Sequence, residues 1–242
     1  MRAFDREETQ RIEDALPGYA CAYSLCKDDA NGRFRGGRTY GVATYVRSAL
    51  EPLWLPRPAW DLEGRVLGCT LPSEALTILN AYAPNGTDKP YFDHEVGDFV
   101  GDRHAFKRYL HTKVFELAQG MLTEPRDLLL LGDWNVSRTK LDVFPRLRTS
   151  VPHASARALW NSQIEQLGLV DAYRELHPTA RGYTWFSRSA ARRGKLDAAR
   201  VDYALLSRGA SGRLVEATIA QEMAFELGSD HAPVHTALNA VA

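Results

Sequence analysis

The alternation of apolar and polar positions predicts strands and helices interspersed between residues 18 and 238. Short apolar runs and runs of period two are typical of strands, and apolar positions three or four residues apart are typical of helices. The predicted strands are 18–26, 39–47, 66–71, 75–83, 128–131, 183–187, 201–207, 214–220 and 233–238. One helix is predicted from a cap at Asp102 to Met121 and another over 154–167, and 84–101 is predicted to be a loop.

This pattern has more strands than helices, with the helices lying between strands. It favours an α/β fold, a sandwich of two mixed sheets that face each other with helices outside. A chain of 242 residues suits one large domain or two small ones. Because it contains no internal repeat and no linker-like segment, we expect one domain over 1–242.

Composition narrows the possible partners and locations. Charged residues make up 25% of the chain and the formal net charge is zero, which argues against an architectural DNA-binding protein but leaves a local basic groove open. The three cysteines lack zinc-ligand spacing, so we expect reduced thiols and an intracellular protein, in the nucleus or the cytoplasm. No apolar segment has the length of a signal peptide or a membrane span, so no membrane partner is expected.

Polar side chains stand at or near the ends of four predicted strands. These are Asn80, Tyr82 and Asn85, then Asp133 and Asn135, then Asp202, and finally Asp230 and His231. Each group alone could be a turn or a cap. Together they suit phosphodiester hydrolysis, because carboxylates bind Mg²⁺, a histidine oriented by an aspartate is a general base, and amide and phenol groups donate to phosphate. An unpaired carboxylate within an apolar strand is costly, so Asp202 is expected to pair with His231.

Four motifs in order carry a resemblance to a known family: YAPNG (82–86), GDWN (132–135), RVDY (200–203) and SDHAPV (229–234). WDLEGRVL (60–67), Asp142, GLVDAYRELHP (168–178) and YTWFS (183–187) support them. From about residue 18 to 238 the chain resembles the endonuclease/exonuclease/phosphatase superfamily, and within it most closely the exonuclease III class of abasic-site (AP) endonucleases. The resemblance implies the DNase I-like fold, a four-layer α/β sandwich of two mixed sheets with flanking helices.

The resemblance also implies catalytic roles. Asp133 would orient or deprotonate the attacking water, and Asn135 would bind the scissile phosphate. Tyr82 would bond the phosphate or stabilise the leaving group. His231 would contact the phosphate while Asp202 holds it.

Further implied residues concern the metal and the substrate. Asp230 and Asp133 would lie on the metal side of a site for Mg²⁺ or Mn²⁺. The implied substrate-binding residues are Asn85, Arg138, Trp185, Phe186 and Arg200. The implied partner is abasic duplex DNA, bound by a monomer, and the basic segment 188–200 would neutralise phosphates. Abasic sites suit extrusion into a pocket because their unstacking costs least.

The resemblance breaks at the beginning of the chain. The family normally starts with two strands, the second ending in the glutamate that is its principal metal ligand, and this chain lacks both. We therefore expect an N-terminally truncated version of the fold, in which Glu7 or Glu8 is a poor substitute because no apolar strand holds either one. An open sheet edge also predicts low solubility, which a sharp, cooperative thermal unfolding of purified monomer would contradict.

Two alternatives remain open at this level. A phosphatase or a non-specific nuclease is possible on the same scaffold, because a fold does not fix a substrate. An inactive pseudo-nuclease that only binds would explain the missing glutamate, but not the retention of GDWN, RVDY and SDH.

Overall fold

A computed structural model describes residues 6–31, 40–144, 147, 151–191 and 196–241, with only the backbone described at 6–8, 151, 152 and 190. The side chains of Glu7 and Glu8 and residues 192–195 of the basic segment therefore lie outside the described residues. No helix among the described residues is long and apolar enough to cross a membrane.

The secondary structure mixes strands and helices throughout the described chain. The strands are β1 Tyr19–Leu25, β2 Gly41–Arg47, β3 Leu53–Trp54, β4 Val66–Leu71, β5 Leu76–Tyr82, β6 Pro90–Asp93, β7 Asp98–Asp102, β8 Asp127–Asp133, β9 Val170–Asp171, β10 Trp185–Phe186, β11 Ala198–Ala199, β12 Asp202–Leu206, β13 Leu214–Ile219 and β14 Val234–Leu238. The helices are α1 Arg6–Ala15, α2 Arg103–Met121, α3 Val151–Leu167, α4 Ala172–Leu176, α5 Arg188–Ala191, α6 Arg208–Gly212 and α7 Gln221–Glu226.

The centre of the fold is a six-stranded mixed sheet with the order β3-β4-β5-β8-β12-β9. Strands β5 and β8 are parallel, and β12 is antiparallel to β8. The leucine run in β8 is divided between the two faces by its period of two. Leu128 and Leu130 pack with residues of α2 and α3, including the fully buried Trp160. Leu129 and Leu131 point into a second core on the opposite face.

Two separate hairpins form the layer on that opposite face. The β1–β2 hairpin packs over β4 and β5, and β14 of the β13–β14 hairpin packs over β12. Within the described residues each hairpin has only two strands. The strands and interspersed helices confirm the predicted α/β class.

One predicted loop folds into structure. Residues 84–101 were expected to be irregular, but β6 and β7 pair within them. Phe92 lies opposite Phe99, with ring centroids 5.3 Å apart. The side chain of Asp93 accepts the backbone N–H groups of the turn, and Gly97 has a positive φ of 77°. Aromatic cross-strand pairing therefore outweighs the high content of turn residues.

The helices begin close to their predicted positions. Asp102 caps α2 by accepting from the backbone N–H of Ala105, as the sequence predicts. The next helix begins at Val151, three residues before the predicted position 154. The connection between β4 and β5 is a short 3-10 helix that ends at Ala75 in the left-handed conformation.

Candidate active site

The strand register places three polar side chains in one row. Tyr82 of β5 lies opposite Asp133 of β8, and Asp133 lies opposite Asp202 of β12. Side chains directly opposite each other on neighbouring strands share a face at contact distance. The row therefore lies at one end of these three inner strands, where their apolar segments stop, on the face that carries the hairpins.

Gly132 allows β5 and β8 to approach closely beside this row. Its φ is +130°, and a Cβ at this position would lie 1.9 Å from the backbone oxygen of Ala81. The glycine therefore allows the two strands to pack closely, and this packing fixes the position of the next residue, Asp133.

Asn135 holds the carboxylate of Asp133 from two directions. Its backbone N–H donates to Oδ1 of Asp133 over 2.9 Å, and its side-chain Nδ2 donates to Oδ2 over 3.0 Å. Nδ2 also donates to the backbone oxygen of Ala83 over 2.8 Å. Asn135 has a φ of 50°, a left-handed conformation that asparagine tolerates better than most residues. Within the motif GDWN, Asn135 thus fixes the orientation of the Asp133 carboxylate.

Lys107 of α2 ties together the loops that follow β5 and β8. This side chain is fully buried, and its Nζ donates to the backbone oxygens of Asn135 and Asn85. The distance to the Asn85 oxygen is 3.1 Å. Burial lowers the pKa of Lys107 to about 8, although the charge of Asp133 opposes this shift. The lysine therefore satisfies two buried backbone carbonyls beneath the site and adds a positive charge near Asp133.

His231 and Asp202 form a hydrogen-bonded pair beside Asp133. Nδ1 of His231 donates to Oδ2 of Asp202 over 2.9 Å. Burial lowers the pKa of His231, but the hydrogen bond to Asp202 and the charges of Asp202 and Asp133 outweigh it and raise the pKa to about 9. The imidazole is therefore cationic at neutral pH and leaves Nε2–H for an anionic group.

Asp133 has an unusual electrostatic setting. Burial, followed by the charge of Asp202, raises its pKa to about 7, while His231 and the hydrogen bond from Asn135 act in the opposite direction. A carboxylate with a pKa near neutrality is matched to proton transfer at physiological pH. The site is therefore short of positive charge in the absence of a bound cation.

The residues present fit a hard divalent cation. Asp133, Asp202 and His231 each offer one ligand atom, and these atoms lie within 4.8 Å of one another. The two carboxylate oxygens suit Mg²⁺ or Mn²⁺ together with water. The imidazole of His231 is cationic and donates Nδ1–H to Asp202, so it has no lone pair for the ion and would lie beside it.

The cluster opens into a cleft of about 770 Å³. Its walls come from β2, the ends of β5, β8 and β12, the beginning of α5 and the segment before β14. The polar side chains among them are Asn80, Tyr82, Asp133, Arg188, Asp202, Ser229, Asp230 and His231. A smaller side pocket of about 200 Å³ adjoins it, lined by Asn85, Asn135, Val136, Ser137, Val143, Leu147, His153, Arg157, Trp185, Ala199 and Val201. Trp185 of the side pocket and His231 of the cleft are paired in an isolated β-bridge, so the two spaces are neighbours.

Comparison with known proteins identifies this arrangement. The profile of the Endonuclease/Exonuclease/phosphatase family matches residues 4–231. The chain belongs to the endonuclease/exonuclease/phosphatase family. Exodeoxyribonuclease III of Haemophilus influenzae is 26% identical over 247 residues, which cover 94% of this chain and 86% of that protein. Recombination repair protein 1 of Drosophila melanogaster is 27% identical over 226 residues, covering 90% of this chain and 29% of that protein.

Solved structures of the family share the fold. The 3′ phosphatase NExo from Neisseria, bound to a product DNA hairpin, has a TM-score of 0.73 at 24% identity, with 98% of this chain and 85% of that chain covered. An AP endonuclease from Archaeoglobus fulgidus has a TM-score of 0.69 at 21% identity, covering 98% and 83%. The resemblance to the exonuclease III class and its DNase I-like fold is thereby confirmed.

One substrate-binding prediction for this family member is wrong. Arg200 is only 1% exposed. Its Nε donates to Asp142 over 2.8 Å, and its two terminal nitrogens donate to Asp171 over 2.8 and 2.7 Å. A guanidinium so fully paired and buried cannot reach a phosphate. The arginine of RVDY instead fastens β12 to the loop after β8 and to β9.

Other predicted residues are distributed around the site. Asp230 lines the cleft but is outside the three-residue cluster, with Oδ1 3.9 Å from Arg188. Asn85 and Trp185 line the side pocket. Phe186 packs on Phe225 with ring centroids 4.9 Å apart. Arg138 is directed to Asp171, 3.7 Å away, and lines neither space. Substrate binding by Phe186 or Arg138 therefore has no support from their positions.

Lys107 is not among the site residues that the sequence predicts. A signal was present, because residue 107 precedes Leu110 and Val114 by one and two helical turns and so lies on the buried face of α2. A lysine on such a face requires buried acceptors. The supporting stretch WDLEGRVL also contributes to the site, since its Glu63 pairs with Arg65 and Arg65 stacks over the Tyr82 ring at 4.6 Å.

Proposed function

We propose that this chain hydrolyses phosphodiester bonds in DNA, as an AP endonuclease with 3′-repair activity that depends on Mg²⁺ or Mn²⁺. The observation that carries the proposal is the cluster of Asp133, Asp202 and His231 at the sheet edge, inside a cleft that adjoins a small side pocket. The similarity to Exodeoxyribonuclease III over most of both chains supports the same class of reaction.

Asp133 is the proposed base for the attacking water. Burial raises the pKa of Asp133 to about 7 in the metal-free protein. A bound cation would favour the ionised carboxylate, which is the form that accepts a proton. Asn135 holds both oxygens of this carboxylate, so the basic lone pair has a defined direction. Because the Nδ2 hydrogens of Asn135 are already donated to Asp133 and Ala83, we assign Asn135 first to positioning, and a phosphate contact through Nδ2 requires releasing one of these bonds.

His231 and Tyr82 are the proposed partners of the phosphate. Asp202 fixes the imidazole through Nδ1, which directs Nε2–H away from the pair and into the cleft. The positive charge of His231 stabilises a phosphate that gains negative charge during attack. Tyr82 lies at the other end of the row and offers its hydroxyl to the leaving oxygen.

A divalent cation held by Asp133 and Asp202, with His231 and Asp230 at its margin, would supply charge stabilisation of the phosphate and of the leaving group. The cation would also lower the pKa of Asp133, since an adjacent positive charge favours the ionised carboxylate.

The side pocket supports abasic DNA as the substrate. Its walls include Trp185 and the apolar side chains Val143, Leu147, Ala199 and Val201. A small pocket with a partly apolar wall next to the cluster suits an extruded sugar without a base, and extrusion costs least where the base is missing. Arg157 and Arg188 lie at the two spaces and offer positive charge to the DNA backbone.

The test is cleavage of a labelled duplex that carries one abasic analogue, in Mg²⁺ and in EDTA. The chain should cut in Mg²⁺ only, and Asp133→Ala should lose roughly a hundredfold or more of the activity. Asp14→Ala, which removes an exposed carboxylate on α1, is the matched control and should cut normally. Intact duplex, a 3′-phosphate end and small phosphorylated molecules complete the panel. No cutting of any substrate in Mg²⁺ or Mn²⁺ would refute the proposal and favour a pseudo-nuclease.

A further inference from the structure

A buried arginine contacts the side chain of Tyr82. Arg65, the residue before β4, is only 4% exposed and lines neither the cleft nor the side pocket. Its guanidinium carbon lies 4.6 Å from the ring centroid of Tyr82 and 4.2 Å from that of Tyr40. The two rings are nearly perpendicular, with centroids 6.4 Å apart. The guanidinium therefore occupies the angle between two aromatic faces, each of which attracts a cation.

Hydrogen bonds also join Arg65 to the backbone of Tyr82. Nη1 of Arg65 donates to the backbone oxygen of Tyr82 over 3.2 Å, and the backbone N–H of Tyr82 donates to the backbone oxygen of Arg65 over 2.8 Å. The carboxylate of Asp61 in turn accepts the backbone N–H of Arg65 over 2.8 and 2.9 Å. One residue thus contacts both the ring and the backbone of Tyr82 at the end of β5.

Glu63 and Arg103 fix the plane of this guanidinium. Nε and Nη2 of Arg65 each lie 2.8 Å from Oε2 of Glu63. Arg103, the first residue of α2, binds both oxygens of the same carboxylate, with its Nη2 2.8 Å from Oε2. Burial raises the pKa of Glu63, but the bond from Arg103 and the charges of both arginines outweigh it and lower the pKa. Because a guanidinium is planar and all three nitrogens of Arg65 are bonded, its orientation is fixed.

Stability alone does not account for this arrangement. A buried ion pair is often no more stabilising than apolar side chains of the same volume, because desolvation offsets the attraction. Arg65 is too buried to reach a phosphate itself. What its guanidinium does contact is the ring of Tyr82, which lines the cleft. A hydroxyl that stabilises a leaving oxygen acts only when its direction is set before the reaction.

We propose that Arg65 is a positioning residue for cleavage, which sets the orientation of the Tyr82 ring and hence the direction of its hydroxyl in the cleft. The inference rests on the proposed function, in which Tyr82 serves the leaving oxygen. Glu63 and Arg103 act by holding Arg65. Helix α2 therefore supports both ends of the site, because it also carries Lys107 beneath the loops after β5 and β8.

The kinetic test is a double-mutant cycle on cleavage of the abasic duplex in Mg²⁺. Arg65→Met removes the guanidinium but keeps an apolar stem, and Tyr82→Phe removes only the hydroxyl. Arg65→Met should lower kcat by roughly five- to fiftyfold and change KM by less than about twofold. Tyr82→Phe should lose at least as much. Added to Tyr82→Phe, Arg65→Met should lower kcat by no more than about twofold further, because the hydroxyl that it directs is already gone.

Three other variants separate positioning from folding. Arg213→Met removes a partly buried arginine that pairs with Glu74 and Asp127 at the opposite ends of β5 and β8, so it should lower stability and leave kcat unchanged. Arg65→Lys keeps the charge and should restore part of the kcat lost in Arg65→Met. Glu63→Gln loosens the guanidinium without removing it and should lower kcat less than Arg65→Met does. Circular dichroism and urea unfolding of every variant report the folded fraction.

A second measurement does not depend on activity. Tyrosine labelled with ¹³C in its ring gives a nuclear magnetic resonance signal for Tyr82, identified by its loss in Tyr82→Phe. Arg65→Met and Glu63→Gln should shift this signal, and Arg213→Met should not. An inactive wild-type chain in which the signal still shifts would count against the proposed function alone.

Three results would overturn the positioning role of Arg65. One is an unchanged Tyr82 signal in folded Arg65→Met. Another is an equal fold-loss of kcat from Arg65→Met in the wild type and in Tyr82→Phe, which would show that the arginine does not act through the hydroxyl. The third is a rise in KM with kcat unchanged, which would assign Arg65 to substrate binding.

Discussion

Replacing His231 with glutamine removes the charged partner of Asp202 with little change in volume. The hydrogen bond between His231 and Asp202 is the main cause of the raised pKa of the histidine. The substitution should therefore destabilise the protein in a pH-dependent manner, provided that EDTA keeps cations out of the site.

The magnitude follows from the pKa. A rise from 6.5 to about 9 corresponds to roughly 3.4 kcal/mol of stabilisation, since one pKa unit is worth about 1.4 kcal/mol. The side chain of His231 is 34% exposed, so solvent screening reduces the interaction, and we expect about 1–2 kcal/mol. Because the folded-state pKa is raised, this stabilisation is fully present below pH 6.5 and is lost as the pH rises through about 9.

The assay is urea unfolding of the wild type and His231→Gln at pH 6 and at pH 10. Asp133, with a pKa of about 7, is protonated in both folded proteins at pH 6 and ionised in both at pH 10, so it contributes little to the comparison. The wild-type advantage should be about 1–2 kcal/mol larger at pH 6 than at pH 10. A difference between the proteins that does not change with pH, or that grows towards pH 10, would refute the electrostatic reasoning.

Two further substitutions test the packing beneath the site. Gly132→Ala forces a Cβ against the backbone of Ala81 at a positive φ and should destabilise the chain by about 3 kcal/mol or more. Gly120 lies in a helix, and a Cβ added there meets no atom within 4 Å, so Gly120→Ala should stabilise the chain by up to about 1 kcal/mol. Equal melting temperatures of the two variants would contradict this. Lys107→Met leaves two loop carbonyls without their buried donor. The free energy of unfolding in urea should fall by about 1–3 kcal/mol, and the cleavage rate should fall at least about tenfold. A variant with normal stability and activity would show that the lysine holds neither loop.

The amino-acid sequence by itself determined much of this protein. Local periodicity predicted the long elements, because β8, β12 and α2 have strong and unambiguous patterns. The motifs around Asp133, Asp202 and His231 predicted the family, since their order along the chain is specific even where each motif is weak. The pairing of Asp202 with His231 was also predictable, because a carboxylate in an apolar strand requires a partner.

Only the tertiary structure decided which polar residues share the row at the strand ends. The row of Tyr82, Asp133 and Asp202 depends on strand register, and a shift of one residue would turn these side chains to the other face. Arg200 looked like a phosphate ligand, yet its acceptors come from segments 29 and 58 residues away in sequence. The many turn residues of the β6–β7 hairpin predict a loop. The hairpin forms because the Phe92 and Phe99 rings meet across the two strands, a contact that local sequence patterns do not show. Local preferences are written in short stretches of sequence, whereas register, burial and long-range ion pairs exist only after the chain has packed.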